Sequence, residues 1–102
     1  MELKKILDLC ITENIKDINL AMLSNELGYS QVYTGKLVKQ LTGKSFREYI
    51  HDSRCKLAAE LLKNSDVSVN DIINTVGYEN GTFFRKKFKN KYGVNPLEYR
   101  KG

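Results

Sequence analysis

The sequence predicts an all-α protein: two helix-turn-helix subdomains joined by a long linker helix, about seven helices in all. Three observations predict it. No segment sustains the two-residue apolar alternation of a half-buried strand, whereas apolar residues recur at three- and four-residue spacing along most of the chain. The chain also repeats itself. Leu23, Leu27, Gly28 and Tyr29 return 49 positions later as Ile72, Val76, Gly77 and Tyr78. After one inserted residue the offset is 50, pairing Tyr33 with Phe83, Lys36 with Lys86, Val38 with Phe88, Lys39 with Lys89 and Gly43 with Gly93. Finally, the turns at Gly28-Tyr29 and Gly77-Tyr78-Glu79 are too short for an antiparallel helical hairpin and suit a helix-turn-helix. Two degenerate copies are too few for a solenoid, which needs about three.

Each element has its own local justification. Leu3, Ile6, Leu7 and Cys10 follow helical spacing, with Ile11 beside them, and give a first helix fraying near Asn14 to Asp17. Asn19 caps a second, about Leu20 to Leu27, which stops at Gly28 because a residue without a Cβ takes the left-handed conformation that closes a helix. Ser30 caps a third, ending about Thr42 before Gly43. Ser45 and Glu48 form an S-x-x-E box that starts a long fourth helix reaching about Lys63. Asn64 to Val67 reads as a turn. Ser68 with Asp71 starts the fifth, the sixth runs from about Asn80 to Tyr92, and Asn95-Pro96 opens the last, with proline at its first position.

A chain of 102 residues fits one domain and buries a modest core rather than two independent ones, so the two copies are expected to share structure. The expected organisation is a single domain over 1–102: a first helix-turn-helix unit about 1–43, the linker helix about 45–63 and a second unit about 68–102. The linker stripe Phe46, Tyr49, Ile50, Leu57 and Leu61 is expected to bind both halves. With no apolar run near the roughly 20 residues of a membrane span and no signal peptide, the expected location is the cytoplasm, with no membrane partner. Cys10 and Cys55 are then expected as reduced, buried thiols.

The net charge of +5 is unevenly placed. Residues 1–76 carry ten basic and ten acidic side chains, whereas residues 77–102 carry seven and two. Such a patch steers a protein toward a polyanion. In the third helix Tyr33, Leu37, Val38 and Leu41 are expected to face inward, with Gln31, Val32, Gly35, Lys36 and Lys39 outward. In the sixth, Phe83, Phe84, Phe88 and Tyr92 face inward, with Gly81, Thr82, Arg85, Lys86 and Lys89 outward. A recognition helix needs this division: one side locked in a core, the other offering donors to a major groove about 12 Å wide. Phe46 to Lys63 spans 18 positions, about 27 Å of helix, near the roughly 34 Å between successive major-groove segments on one DNA face.

The expected base-contacting residues are therefore Gln31, Val32 and Lys36 in the first unit and Thr82, Arg85 and Lys86 in the second. Lys39 and Lys89, one turn on, are assigned to phosphate together with the cap residues Ser30 and Asn80. His51 and Cys55 share a helix face, but two ligands fall short of the three or four of a zinc site, and no spacing implies an acid-base partner for a cysteine nucleophile. No catalytic residue, metal or cofactor is expected; the chain does not read as an enzyme. Tyr29 and Tyr78 are expected to pack rather than to stack on bases.

The stretch from Gly77-Tyr78 through Thr82-Phe83-Phe84 to Phe88-Lys89, followed by Tyr92-Gly93, Pro96 and Tyr99-Arg100, resembles the DNA-binding domain of the AraC/XylS family of bacterial transcriptional regulators. Arg54, Ala58, Leu61 and Leu62 match that family's linker helix, and the resemblance covers nearly the whole chain. It implies two helix-turn-helix units in adjacent major grooves of promoter DNA, contact with RNA polymerase, and a sensor in the parent protein, either ligand-binding or the receiver of a two-component system. The domain is expected as a monomer, with any dimerisation left to the parent. The chain departs from the family pattern at Thr34, Val38 and Ile73, where looser packing is expected, and at Gly35 and Gly81, where base-reading side chains often stand. A different functional class also fits a thinned first recognition helix: a protein-interaction module that binds RNA polymerase or another regulator and holds DNA weakly.

Overall fold

A computed structural model describes residues 2–102. Among them the helices are α1 (Leu3–Glu13), α2 (Leu20–Leu27), α3 (Gln31–Thr42), α4 (Phe46–Asn64), α5 (Val69–Thr75), α6 (Gly81–Tyr92) and α7 (Pro96–Lys101), and no strand occurs. The caps lie where short polar side chains can satisfy the open N–H groups of a first helical turn. Asn19 Oδ1 accepts from the Met22 amide at 2.8 Å, Ser30 Oγ from Tyr33 at 3.2 Å, Ser68 Oγ from Asp71 at 3.1 Å and Asn95 Oδ1 from Glu98 at 2.9 Å. Ser45 Oγ accepts from the Glu48 amide and donates to the Glu48 carboxylate, each at 3.2 Å, so this box closes on itself through side chains.

The one-residue insertion is visible in the turns. Gly28 and Gly77 hold φ of 78° and 107°, where a Cβ is strained, and they lie 49 positions apart, yet the next caps, Ser30 and Asn80, lie 50 apart. The extra residue sits between turn glycine and cap, outside both helices.

The chain divides into two compact units, Met1–Ile50 and His51–Gly102, with the boundary inside α4. Each has its own core. In the first, Leu7, Cys10 and Ile11 of α1, Ile18, Leu23 of α2, Val38 of α3 and Ile50 of α4 are buried together, with Phe46 and Tyr49 packed against them. Tyr49 donates its hydroxyl to Asp8, which also takes Lys4 Nζ at 2.9 Å. In the second, Cys55, Ala58, Ala59 and Leu62 of α4 meet Ile72, Ile73, Val76, Tyr78, Phe84 and Phe88, with Leu57 and Leu61 at the margin. Ala58 and Ala59 leave room for rings: Phe88 has Tyr92 at 4.6 Å, Tyr99 at 5.4 Å and Phe84 at 5.7 Å between centroids. Such pairs add about 0.5–1.5 kcal/mol each beyond their buried area.

One expectation is corrected here. The buried side chains form two clusters, not one shared core, and what is shared is α4. The linker stripe divides accordingly: Phe46, Tyr49 and Ile50 serve the first cluster, Leu57 and Leu61 the second. The positions that depart from the family pattern are covered. Thr34, Val38 and Ile73 are 0%, 1% and 5% exposed, and the buried Thr34 hydroxyl donates to the Ser30 carbonyl at 2.7 Å.

Candidate nucleic-acid interface

In the first unit, α2 and α3 pack closely across the three-residue turn Gly28-Tyr29-Ser30. Thr34, Leu37 and Val38 bury one side of α3, which leaves Gln31, Val32, Lys36 and Lys39 exposed. In the second, Phe84 and Phe88 anchor α6, and Thr82, Lys86 and Lys89 are exposed on the opposite side. With helical periodicity, Val32, Lys36 and Lys39 form the centre of the outward face of α3, and Thr82, Lys86 and Lys89, each 50 positions on, form that of α6. Among the described residues no ion pair engages these four lysines. Ser30 and Asn80 are exposed, and their side-chain oxygens are used as caps: Asn80 Oδ1 accepts from Thr82 at 3.0 Å and from Phe83 at 3.3 Å. The Ser30 hydroxyl hydrogen and the Asn80 amide hydrogens remain as donors.

The basic side chains of the last quarter point in different directions. Lys86 and Lys89 point outward. Lys91 pairs with Asp52, in the first half of α4, and Lys87 lies 5.4 Å from the Phe83 ring centre on its own helix. Arg85 folds back along its helix until Nη1 lies 2.7 Å from the point where a Gly81 Cβ would stand. There it also lines a groove of about 500 Å³ with Ser68, Asn70, Leu97 and Arg100. Gly81 is therefore not an outward vacancy: its missing side chain points at Arg85 and at Ile73 Cδ1, 3.6 Å away. Gly35 does face open space.

Two aromatic expectations change. Tyr33, expected inward, is 50% exposed, and Tyr29, expected to pack, is 45% exposed; their rings meet edge-on at 4.9 Å. Their counterparts in the second unit are covered. Tyr78 is 6% exposed, stacked on His51 with its hydroxyl 2.7 Å from His51 Nδ1, and Phe83 meets the same imidazole edge-on at 5.2 Å. Burial pushes the Tyr78 hydroxyl well above the usual tyrosine range. Sequence spacing could not show this role of His51, because its partner lies 27 residues away.

Arg100 was likewise hidden, a cation on a short terminal helix. Its Nε donates to the Leu62 carbonyl at 3.0 Å, and Nη2 donates to Ser65 at 3.2 Å and Val67 at 2.6 Å. One planar fork thus ties α7 to the end of α4 and to the link that leads into α5. Cys10 and Cys55 are buried thiols, one in each core. Loss of solvent around Cys55 raises its pKa to about 11. Among the described residues no cluster of three His, Cys, Asp or Glu could hold a metal, and no helix is long and apolar enough to cross a membrane.

Residues 23–102 match a family model described as a helix-turn-helix domain. The chain is 35% identical over 79 residues to the Msm operon regulatory protein of Streptococcus mutans, a match that covers 78% of this chain and 28% of that regulator's length. The C-terminal domain of the two-component response regulator yesN from Fusobacterium nucleatum superimposes with a TM-score of 0.82 at 29% identity, covering 95% of this chain and 96% of that one. The DNA-binding domain of AdpA, a global transcriptional factor solved in complex with a target DNA, has the same fold, with a TM-score of 0.85 at 21% identity over 97% of this chain and 89% of that one. With two matched helix-turn-helix units, each presenting a lysine-bearing helix, the chain belongs to the AraC/XylS family of transcriptional regulators and is a DNA-binding domain of that type.

Proposed function

We propose that this domain binds double-stranded promoter DNA sequence-specifically, with α3 and α6 in successive major-groove segments on one face of the duplex. The observation that carries the reading is the matched pair of outward triplets, Val32, Lys36, Lys39 and Thr82, Lys86, Lys89, on helices whose opposite sides are locked in cores. α4 is 19 residues long, about 28 Å at 1.5 Å per residue, against roughly 34 Å between successive groove segments on one face. In this reading 1–43, 45–63 and 68–102 act together as one DNA-binding domain. Gln31, Val32, Lys36, Thr82 and Lys86 contact bases, and Arg85 joins them by swinging away from Gly81. Lys39, Lys89, Ser30 and Asn80 hold phosphates. In a regulator as long as the Streptococcus relative, the domain serves as the output of a sensor elsewhere in the protein, acts in the cytoplasm and contacts RNA polymerase.

Selection from a random duplex library tests this and should return two short motifs about one helical turn apart. On the selected site, Lys36→Ala or Lys86→Ala should lose about 1–3 kcal/mol more than on random DNA if the contact is bidentate to guanine. Equal loss on both would reassign these lysines to phosphate. Affinity should fall steeply with salt, by about 0.9 log units per log salt for each phosphate neutralised; an affinity that ignores salt would favour a protein partner instead.

A further inference from the structure

The two reading helices are not chemically equivalent. Val32 is 72% exposed at the leading end of α3, with Tyr33 next to it at 50% and Tyr29, edge-on to Tyr33, at 45%. This is an uncovered apolar patch on the same helix surface as Lys36 and Lys39. The exposed apolar residues of the second unit, Val67 and Leu97, lie off α6, and the residues that match the patch are Thr82, polar, and Phe83 and Tyr78, both engaged with His51. Charge follows the same division. Residues 1–50 carry seven basic and six acidic side chains, whereas residues 51–102 carry ten and six. The first unit thus carries a net charge of +1 against +4 for the second, and it presents Val32, Tyr29 and Tyr33 beside Lys36 and Lys39.

In a major groove the apolar feature of a base pair is the 5-methyl of thymine, and the side chains that contact it are small or apolar. We propose, resting on the DNA-binding reading above, that the first unit recognises thymine methyl groups. Val32 makes the methyl contact, and the Tyr29–Tyr33 pair covers it from one side and excludes water. The second unit reads hydrogen-bond acceptors through Thr82, Arg85 and Lys86. The two half-sites then differ in kind, the first needing a thymine methyl beside the base that Lys36 reads and the second hydrogen-bond acceptors alone, and their order fixes the orientation of the domain on its operator.

Replacement of thymine by deoxyuridine removes the methyl and leaves the hydrogen-bonding edge intact, which isolates the proposed contact. The probes are the selected duplex and variants of it carrying deoxyuridine in one half-site at a time, with binding read by fluorescence anisotropy. The half-sites are assigned by the protection each loses with Lys36→Ala and with Lys86→Ala. Deoxyuridine in the first half-site should weaken binding about fourfold for each contacted methyl, the worth of one buried methyl-sized group, and in the second half-site less than 1.5-fold. Val32→Ala, at a position too exposed to threaten folding, should erase most of the first effect, and Tyr33→Ser should reduce it, while Tyr33→Phe keeps it. Tight binding with no response to deoxyuridine in the first half-site overturns the proposal. So does a response that survives Val32→Ala. If Val32→Ala also leaves DNA affinity unchanged, the patch belongs to a protein partner. A domain that selects no duplex at all overturns the DNA reading along with this one, an outcome distinct from tight, methyl-indifferent binding.

Discussion

Replacing Arg100 by alanine removes three N–H···O=C bonds at once, from Nε to Leu62 and from Nη2 to Ser65 and Val67. A hydrogen bond with one charged partner contributes about 1.5–3 kcal/mol when buried, so the upper bound for the set is large. The geometry lowers it. The bond to Val67 lies at an exposed site and the other two are part-buried, so water reaches the carbonyls once the fork has gone. We expect a net loss of about 2 kcal/mol, close to one well-made charged hydrogen bond, and a melting point lower by about 10 °C in a domain of this size. Urea denaturation gives the free energy, and amide hydrogen exchange over 62–68 locates it. Arg100→Lys separates charge from shape: an ammonium has three N–H donors, but on one nitrogen, and cannot match the spacing of Nε and Nη2, so lysine should restore less than half. A loss under 0.5 kcal/mol, or full rescue by lysine, would refute the account of α7 as a guanidinium clamp on the α4–α5 link.

The two helix glycines should respond in opposite ways. A Cβ on Gly35 meets nothing within 4 Å, so Gly35→Ala should raise stability by about 1 kcal/mol in urea titration through helix propensity. Gly81→Ala would place its methyl 2.7 Å from Arg85 Nη1, so the guanidinium must move off the start of α6; stability should gain less than at Gly35, and Arg85 chemical shifts should move. Matching behaviour at both sites would refute the contrast. Stability should also decline in alkali. Burial lifts the Cys55 thiol from 9.0 to about 11 and the Tyr92 hydroxyl from 10.0 to about 12, and Tyr78 rises further. The unfolded chain then releases protons that the folded chain retains, so stability is complete below about pH 9 and is lost as pH rises toward 11–12. An unchanged urea midpoint between pH 8 and pH 10.5 would count against this, and Cys55→Ala should flatten part of the slope.

Helix positions, caps and the duplication were legible in the sequence because each rests on neighbours within one or two turns. A short polar side chain before an apolar repeat satisfies open amides wherever it occurs, and a left-handed glycine closes a helix in any context. The buried sides of α3 and α6, and hence the outward lysines, followed from periodicity alone. What periodicity could not decide was which residues at the margin of each buried face find cover. Tyr33 and Phe83 occupy the same place in the repeat, yet Phe83 meets the His51 imidazole of α4 while Tyr33 meets only Tyr29 among rings and stays 50% exposed. The Arg100 clamp and the division of the core between two units have the same origin. Each depends on contacts between residues distant in sequence, brought together by packing, and a linear pattern carries no record of what stands across the gap.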